Sequence, residues 1–296
     1  MQVLHNEVLA RHTTLGVGGA AKLFVVAETE AEILDALQTY KDQRILILGS
    51  GSNVVISDNG FDGVVLHIQS QGIRTEQDAC SGAMVSVQAG VNWDDFVVHA
   101  LSNEFNGIEA LSGIPGQVGA SPIQNIGAYG QDVSQTIARV KTFDRQIGAI
   151  KTLSASDCGF GYRTSRFKQE QDRYVVLEVT FQLGLGNYSA PLAYPELAHV
   201  LGVELGKRSK SVEVRDAVLN LRKSKAMVLD QNDRDTCSVG SFFTNPVVES
   251  TFADALPISV TRWKQHDDVK ISAASLLEHS GIQKGFGLNS SAQIST

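Results

Sequence analysis

Residues 21–48 alternate strand, helix and strand in one short stretch, and this alternation constrains the fold more than any other feature of the chain. AKLFVVA at 21–27 reads as a strand. Thr29 followed three positions later by Glu32 forms a capping box, which opens a helix carrying Ile33, Leu34 and Leu37 on one face. Arg44 to Leu48 reads as a second strand. A strand-helix-strand unit calls for mixed α/β (α+β) architecture. With 296 residues and 43% hydrophobic content, there is material for about two domains with real cores.

Beyond this unit the pattern is rich in strands, with runs at 64–68, 84–89, 138–146 and 174–183. Asn92 is placed to cap a helix, because Trp93, Phe96, Val97, Ala100 and Leu101 recur at the spacing of one helical face. The texture changes near Ser211, where Val214, Ala217, Val218 and Leu221 define an amphipathic helix. A short helix at about 272–280 ends at Gly281, a natural C-cap. The expected division is 1–70, 71–210 and 211–296.

Composition excludes several classes of function. A net charge of −7 gives no long-range attraction for nucleic acid or an acidic membrane. The N-terminus lacks a basic start with an apolar run, and no stretch of about 18 apolar residues occurs, so a cytoplasmic protein with no membrane span is expected. Cys80, Cys158 and Cys237 are far apart and unpaired in spacing, which fits buried thiols in a reducing compartment. The seven histidines show no metal-ligand spacing, so no metal is expected. Asp230–Asp235 starts like a calcium loop, but Arg234 stands where an oxygen ligand belongs and no glycine follows at the sixth position.

Four clusters could carry chemistry. Gly49-Ser50-Gly51-Ser52-Asn53 follows a strand directly, and successive N–H groups there can form an anion nest. It lacks the third glycine of a dinucleotide fingerprint, and Val54-Val55-Ile56-Ser57 reads as strand where that motif needs a helix. Alone it fits a plain turn as well as a pyrophosphate site. The second cluster, Gly113-Ile114-Pro115-Gly116 with Gly119 to Gly130, is poor in charge and suits backbone wrapped around a flat or phosphorylated molecule, or a buried loop between strands. The third, Gly159-Phe160-Gly161-Tyr162-Arg163-Thr164-Ser165, presents a guanidinium, whose fork matches a carboxylate. The fourth, Gly240-Ser241-Phe242-Phe243-Thr244-Asn245-Pro246, offers a hydroxyl and an amide beside two aromatic rings.

In this order and at these spacings the clusters resemble those of the UDP-N-acetylenolpyruvoylglucosamine reductases, from about His12 to Gly285. The resemblance implies a vanillyl-alcohol-oxidase-type FAD fold. Residues 1–70 and 71–210 are then flavin-binding subdomains, and 211–296 is a substrate-binding domain that is incomplete. It also implies NADPH as reductant and UDP-N-acetylglucosamine enolpyruvate as substrate, in a monomer that makes UDP-N-acetylmuramate for peptidoglycan. Gly49, Ser50, Gly51, Ser52 and Asn53 match the pyrophosphate cradle, while Pro115, Gly116, Ser121 and Gly127 line the flavin.

By the same resemblance Arg163 holds the substrate carboxylate as an enolate forms, and Ser241 donates the proton that quenches it. Tyr194, Lys225 and Asn245 match positions that hold the diphosphate and sugar, with Arg222 close enough to assist. Family members continue into a final strand whose glutamate completes the catalytic set, whereas this sequence stops at Thr296. FAD binding is therefore expected to outlast turnover. An inactive FAD- or UDP-sugar-binding fragment and another flavin oxidase of the same fold are the alternatives.

Overall fold

The computed structural model describes residues 1–78, 82–265, 267–287 and 294. Cys80, His266 and most of the segment after residue 287 lie outside the described residues. The chain divides into two compact units, Met1–Ser238 and Val239–Thr296.

The first unit begins with β1 (Gln2–Val8), β2 (Ala20–Ala27), α1 (Glu30–Thr39), β3 (Ile45–Leu48) and β4 (Phe61–Ile68). The capping box forms: Thr29 Oγ1 accepts from Glu32 N at 3.2 Å, while the Glu32 carboxylate reaches back to Glu28 N at 2.8 Å. These strands make one sheet in the order β1-β2-β4-β3, with β2 and β3 both parallel to β4. Central β4 is buried from Gly63 to Ile68, which is why its sequence shows no polar alternation.

The second sheet is antiparallel and contains β5 (Ile73–Asp78), β6 (Gly82–Gln88), β10 (Ile137–Asp144), β11 (Ala149–Ser154) and the long β12 (Tyr174–Leu185), in the order β11-β10-β12-β6-β5. Between β6 and β10 lie α2 (Trp93–Ser102), β7 (Phe105–Asn106), which adds to the end of β12, and the small ribbon of β8 (Gly127–Ala128) and β9 (Gln131–Asp132). Asn92 caps α2 by accepting from the N–H groups of Asp94 and Asp95. Trp93, Phe96 and Phe181 form a buried aromatic cluster with centroids 4.8–6.0 Å apart, and Trp93 Nε1 donates to Leu111 O at 2.9 Å. One hydrophobic core joins these residues to α1 and to the inner faces of β2 and β4.

Helices α3 (Arg166–Gln169), α4 (Pro195–Val200) and α5 (Ser211–Lys223) complete the first unit. Val214, Ala217 and Val218 of α5 pack on Leu197 and Ala198 of α4 and on Ala110. By compactness α5 stays with the first unit, because its apolar face closes on the body that precedes it. The second unit holds β13 (Val247–Glu249), α6 (Ser250–Asp254), β14 (Arg262–Gln265), β15 (Asp268–Ile271) and α7 (Ala273–His279), with a small core of Ala253, Val260 and Ile271.

Two expectations fail. Residues 54–57 form no strand; with no neighbouring strand to pair with, Val54 and Ile56 instead pack onto the cluster of Leu9, Phe24, Leu48 and Val65. Cys237 is exposed, while Cys158 is buried, and burial pushes the Cys158 thiol up to about 12. The mixed α/β class is the one observed.

Trp93 anchors α2 by packing and by its indole bond, so Trp93→Ala is expected to destabilise the fold by ~3–5 kcal/mol. A urea denaturation curve monitored by far-UV circular dichroism checks this; a loss below ~1 kcal/mol places the anchor elsewhere.

Candidate active site

In open α/β sheets, ligands gather beyond the carboxyl ends of parallel strands. Gly49–Asn53 leaves the carboxyl end of β3, and Gln69 leaves that of β4. Beside them is a cleft of about 280 Å³ lined by Arg11, His12, Thr13, Thr14, Ser50, His67, Gln69 and Gln117. That is just under the range of about 300–1,000 Å³ typical of whole small-ligand sites. The lining holds Arg11 and many hydrogen-bonding groups but no carboxylate, which suits a phosphate-bearing ligand.

Three chain segments meet here, and at Gly51 they leave no room for a side chain. A Cβ on Gly51, whose φ is +62°, would lie 2.1 Å from His12 O, and one on Gly49 would lie 2.7 Å from Gln117 Oε1. Thr14 N donates to Gly51 O, Ser52 Oγ donates to Pro115 O at 3.2 Å, and Asn53 Nδ2 donates to Gln124 Oε1 at 3.3 Å. Gln117 Nε2 in turn donates to Ile68 O at 3.1 Å. The predicted cradle and the predicted flavin loop are thus neighbours.

Two histidines to which the sequence alone assigns no binding role add to the cleft. His12 stacks on Phe24 at 4.3 Å and its Nε2 donates to Glu7 Oε1, 3.0 Å away, while His67 lies 5.5 Å from the His12 ring. Burial, then the neighbouring His12, lowers the His67 pKa to about 4, so His67 is neutral near pH 7. The topological rule for parallel strands was the one available signal for Gln69; His67 sits within a strand pattern and had none.

The loop after Pro115 is tied from both sides. Ser121 is buried and its hydroxyl donates to Val118 O at 2.7 Å, so it shapes the loop through its backbone. Gly127 O and Asn125 O accept from the Arg163 guanidinium, and Asn125 Nδ2 donates to Gly161 O at 3.1 Å. The structure therefore joins Arg163 to Gly127 directly. Arg163 itself has φ +54° and lies 5.9 Å from the Tyr162 ring centroid.

A second network joins the Gly113 turn to α5. Arg215 donates to both oxygens of Asp94 at 2.7 Å, and Asp94 Oδ1 also accepts from Gly113 N at 2.7 Å. Arg222 Nε donates to Gly113 O at 3.2 Å and its Nη2 to Met227 O at 2.9 Å, so both sides of the Gly113 residue are held. Burial pulls the Arg222 guanidinium below its ordinary pKa. Farther along, Lys225 pairs with Glu196 at 3.1 Å, and Tyr194 meets Tyr129 edge-on at 5.5 Å. In the second unit Ser241 is exposed, and Asn245 Oδ1 accepts from Ala273 N at 3.0 Å at the start of α7.

Gly51→Ala must strain or shift the cradle, so a cost of ~1–3 kcal/mol and loss of bound flavin on gel filtration are expected; a variant that keeps its flavin refutes the cradle. Burial raises the Asp94 pKa, but hydrogen bonds from Arg215 and Gly113 N outweigh it and hold the carboxyl below its usual range. A depressed carboxyl stabilises the fold above the unfolded pKa of about 3.9 and loses that stabilisation as pH falls through the lower folded value. Asp94→Asn should thus cost roughly 1–2 kcal/mol at pH 7 and show a shallower acid decline in thermal unfolding. Parallel acid limbs in the two proteins would show that Asp94 contributes nothing to the linkage.

Residues 21–154 match the family model described as an FAD binding domain. Over 281 residues the chain is 51% identical to the UDP-N-acetylenolpyruvoylglucosamine reductase of Cutibacterium acnes, covering 94% of this chain and 74% of that protein. The enzyme of the same name from Thermobifida fusca is 45% identical, with 95% of this chain and 83% of that protein covered. A crystal structure of UDP-N-acetylenolpyruvylglucosamine reductase from Thermus caldophilus aligns with a TM-score of 0.66 over 100% of this chain and 85% of that one. At 23% identity that alignment speaks for the fold alone. Sequence identity of this degree, over nearly the whole chain, means that it belongs to the UDP-N-acetylenolpyruvoylglucosamine reductase family.

Proposed function

We propose that this chain binds FAD and, with NADPH as reductant, converts UDP-N-acetylglucosamine enolpyruvate to UDP-N-acetylmuramate in the cytoplasmic stage of peptidoglycan synthesis. The observation that carries the reading is the 51% identity to a reductase of that name, and the close glycine cradle beside a carboxylate-free cleft agrees with it. Residues 1–70 and 71–210 are the two flavin-binding subdomains and 211–296 the substrate-binding domain, with Tyr194 reaching the substrate from the second subdomain. FAD supplies hydride transfer when bound; the protein supplies position and electrostatics.

The N–H groups of Gly49 to Asn53 hold the diphosphate, and Pro115, Gly116, Ser121 and Gly127 give the loop the shape that flanks the ring system. Arg163 binds the substrate carboxylate and stabilises the negative charge that develops there as an enolate. A guanidinium has five N–H donors, so Arg163 can keep its bonds to Asn125 O and Gly127 O while others meet the carboxylate. Ser241 donates the proton, its weak acidity being sufficient for a strongly basic enolate carbon held in place.

Tyr194 and Lys225 receive the substrate diphosphate. Arg222 acts from behind by fixing Gly113, and Asn245 is assigned to the substrate by the family likeness.

The test is a visible spectrum of the purified chain, repeated after anaerobic NADPH and after the enolpyruvyl substrate. An FAD band that NADPH bleaches and that the substrate perturbs is expected. A folded chain that takes up no flavin, or a flavin blind to both ligands, overturns the reading.

A further inference from the structure

We propose that Glu196 is a built-in competitor for the substrate's diphosphate: its carboxylate holds Lys225, and a bound diphosphate displaces it. This rests on the assignment of Lys225 to the diphosphate given above.

The geometry is that of one anion standing in for another. Lys225 Nζ lies 3.2 Å from Glu196 Oε1 and 3.1 Å from Oε2, so the carboxylate grips the ammonium with both oxygens. Phosphate oxygens bind an ammonium in the same way, as acceptors around a point charge. Both side chains are about two-fifths exposed, 41% for Lys225 and 42% for Glu196, so an incoming ligand can reach the pair and solvent keeps it weak.

The surroundings mark the position as a site rather than a casual surface bridge. Glu196 lies in the first turn of α4, two residues after Tyr194, whose ring meets Tyr129 edge-on. Lys225, Arg222, Glu196 and Tyr194 all act electrostatically on the Tyr129 hydroxyl, which burial pushes above its ordinary pKa. The Tyr129–Tyr194 ring contact and the Lys225–Glu196 pair thus bring three separate segments together.

A diphosphate brings more negative charge than one carboxylate, so exchange at Lys225 favours it. A neutral or weakly charged ligand gains nothing by the exchange. Glu196 therefore lowers affinity for the diphosphate and, in return, keeps Lys225 from presenting a bare cation to every small anion.

Calorimetric titration of the flavin-loaded chain with UDP, with uridine as the uncharged control, tests this in Glu196→Gln, Lys225→Met and the double variant. Glu196→Gln is expected to bind UDP about three- to tenfold tighter at low salt, with the gain shrinking as salt rises and uridine binding unchanged. In the Lys225→Met background the same substitution should have no effect. If folded Glu196→Gln binds UDP equally or more weakly, the bridge only ties α4 to the end of α5 and the competitor role is wrong. A gain that survives Lys225→Met also overturns it. UDP affinity that ignores Lys225→Met altogether removes the diphosphate assignment itself, a result distinct from either.

Discussion

The closeness with which the loop after β3 approaches the His12–Thr13 backbone at Gly51 is the constraint on which the site depends. A Cβ at Gly119 would lie 2.6 Å from the Cβ of Ala89, and those at Gly49 and Gly51 would strike Gln117 and His12. The loop after β3 is tied to the 113–119 segment by the Ser52 Oγ bond to Pro115 O, and His12, Ser50 and Gln117 line the polar cleft beside it. Glycine is used here for space as much as for conformation, although Gly51 also needs its positive φ.

Polar networks then fix the loops that the glycines bring together. Asp94 receives Arg215 and Gly113 N, and Arg222 grips Gly113 O. Glu109, fully buried, plays a similar part for the segment that leads to Tyr194: it accepts from Gly107 N, Gln131 Nε2 and Ala190 N. Buried carboxylates are tolerated only when such donors replace water. The electrostatic cost of burying them is offset by the order they impose on otherwise irregular backbone.

These networks also redistribute roles among the basic residues. Arg222 and Lys225 are near neighbours at the end of α5, yet one turns inward onto carbonyls and the other outward onto Glu196. Their shared charge says little; their surroundings decide whether each holds the scaffold or meets a ligand. Arg163 stands between these cases, since its guanidinium already braces the loop it is proposed to serve.

By itself the sequence determined the elements whose signals are local. The capping box at Thr29, the Asn92 cap and the apolar faces of α2 and α5 all follow from periodicity and short-range hydrogen bonding. It also marked the glycine clusters, because close approach leaves a compositional trace. It misread Val54–Ser57 as strand, since an apolar run does not say whether a partner strand exists to complete the ladder. Tertiary structure alone decided that His12, His67, Gln69 and Gln117 share a cleft, that Glu109 is buried, and that α5 belongs with the body before it. Single polar residues carry no periodic signal, and their partners lie in distant segments that only folding brings within hydrogen-bonding reach.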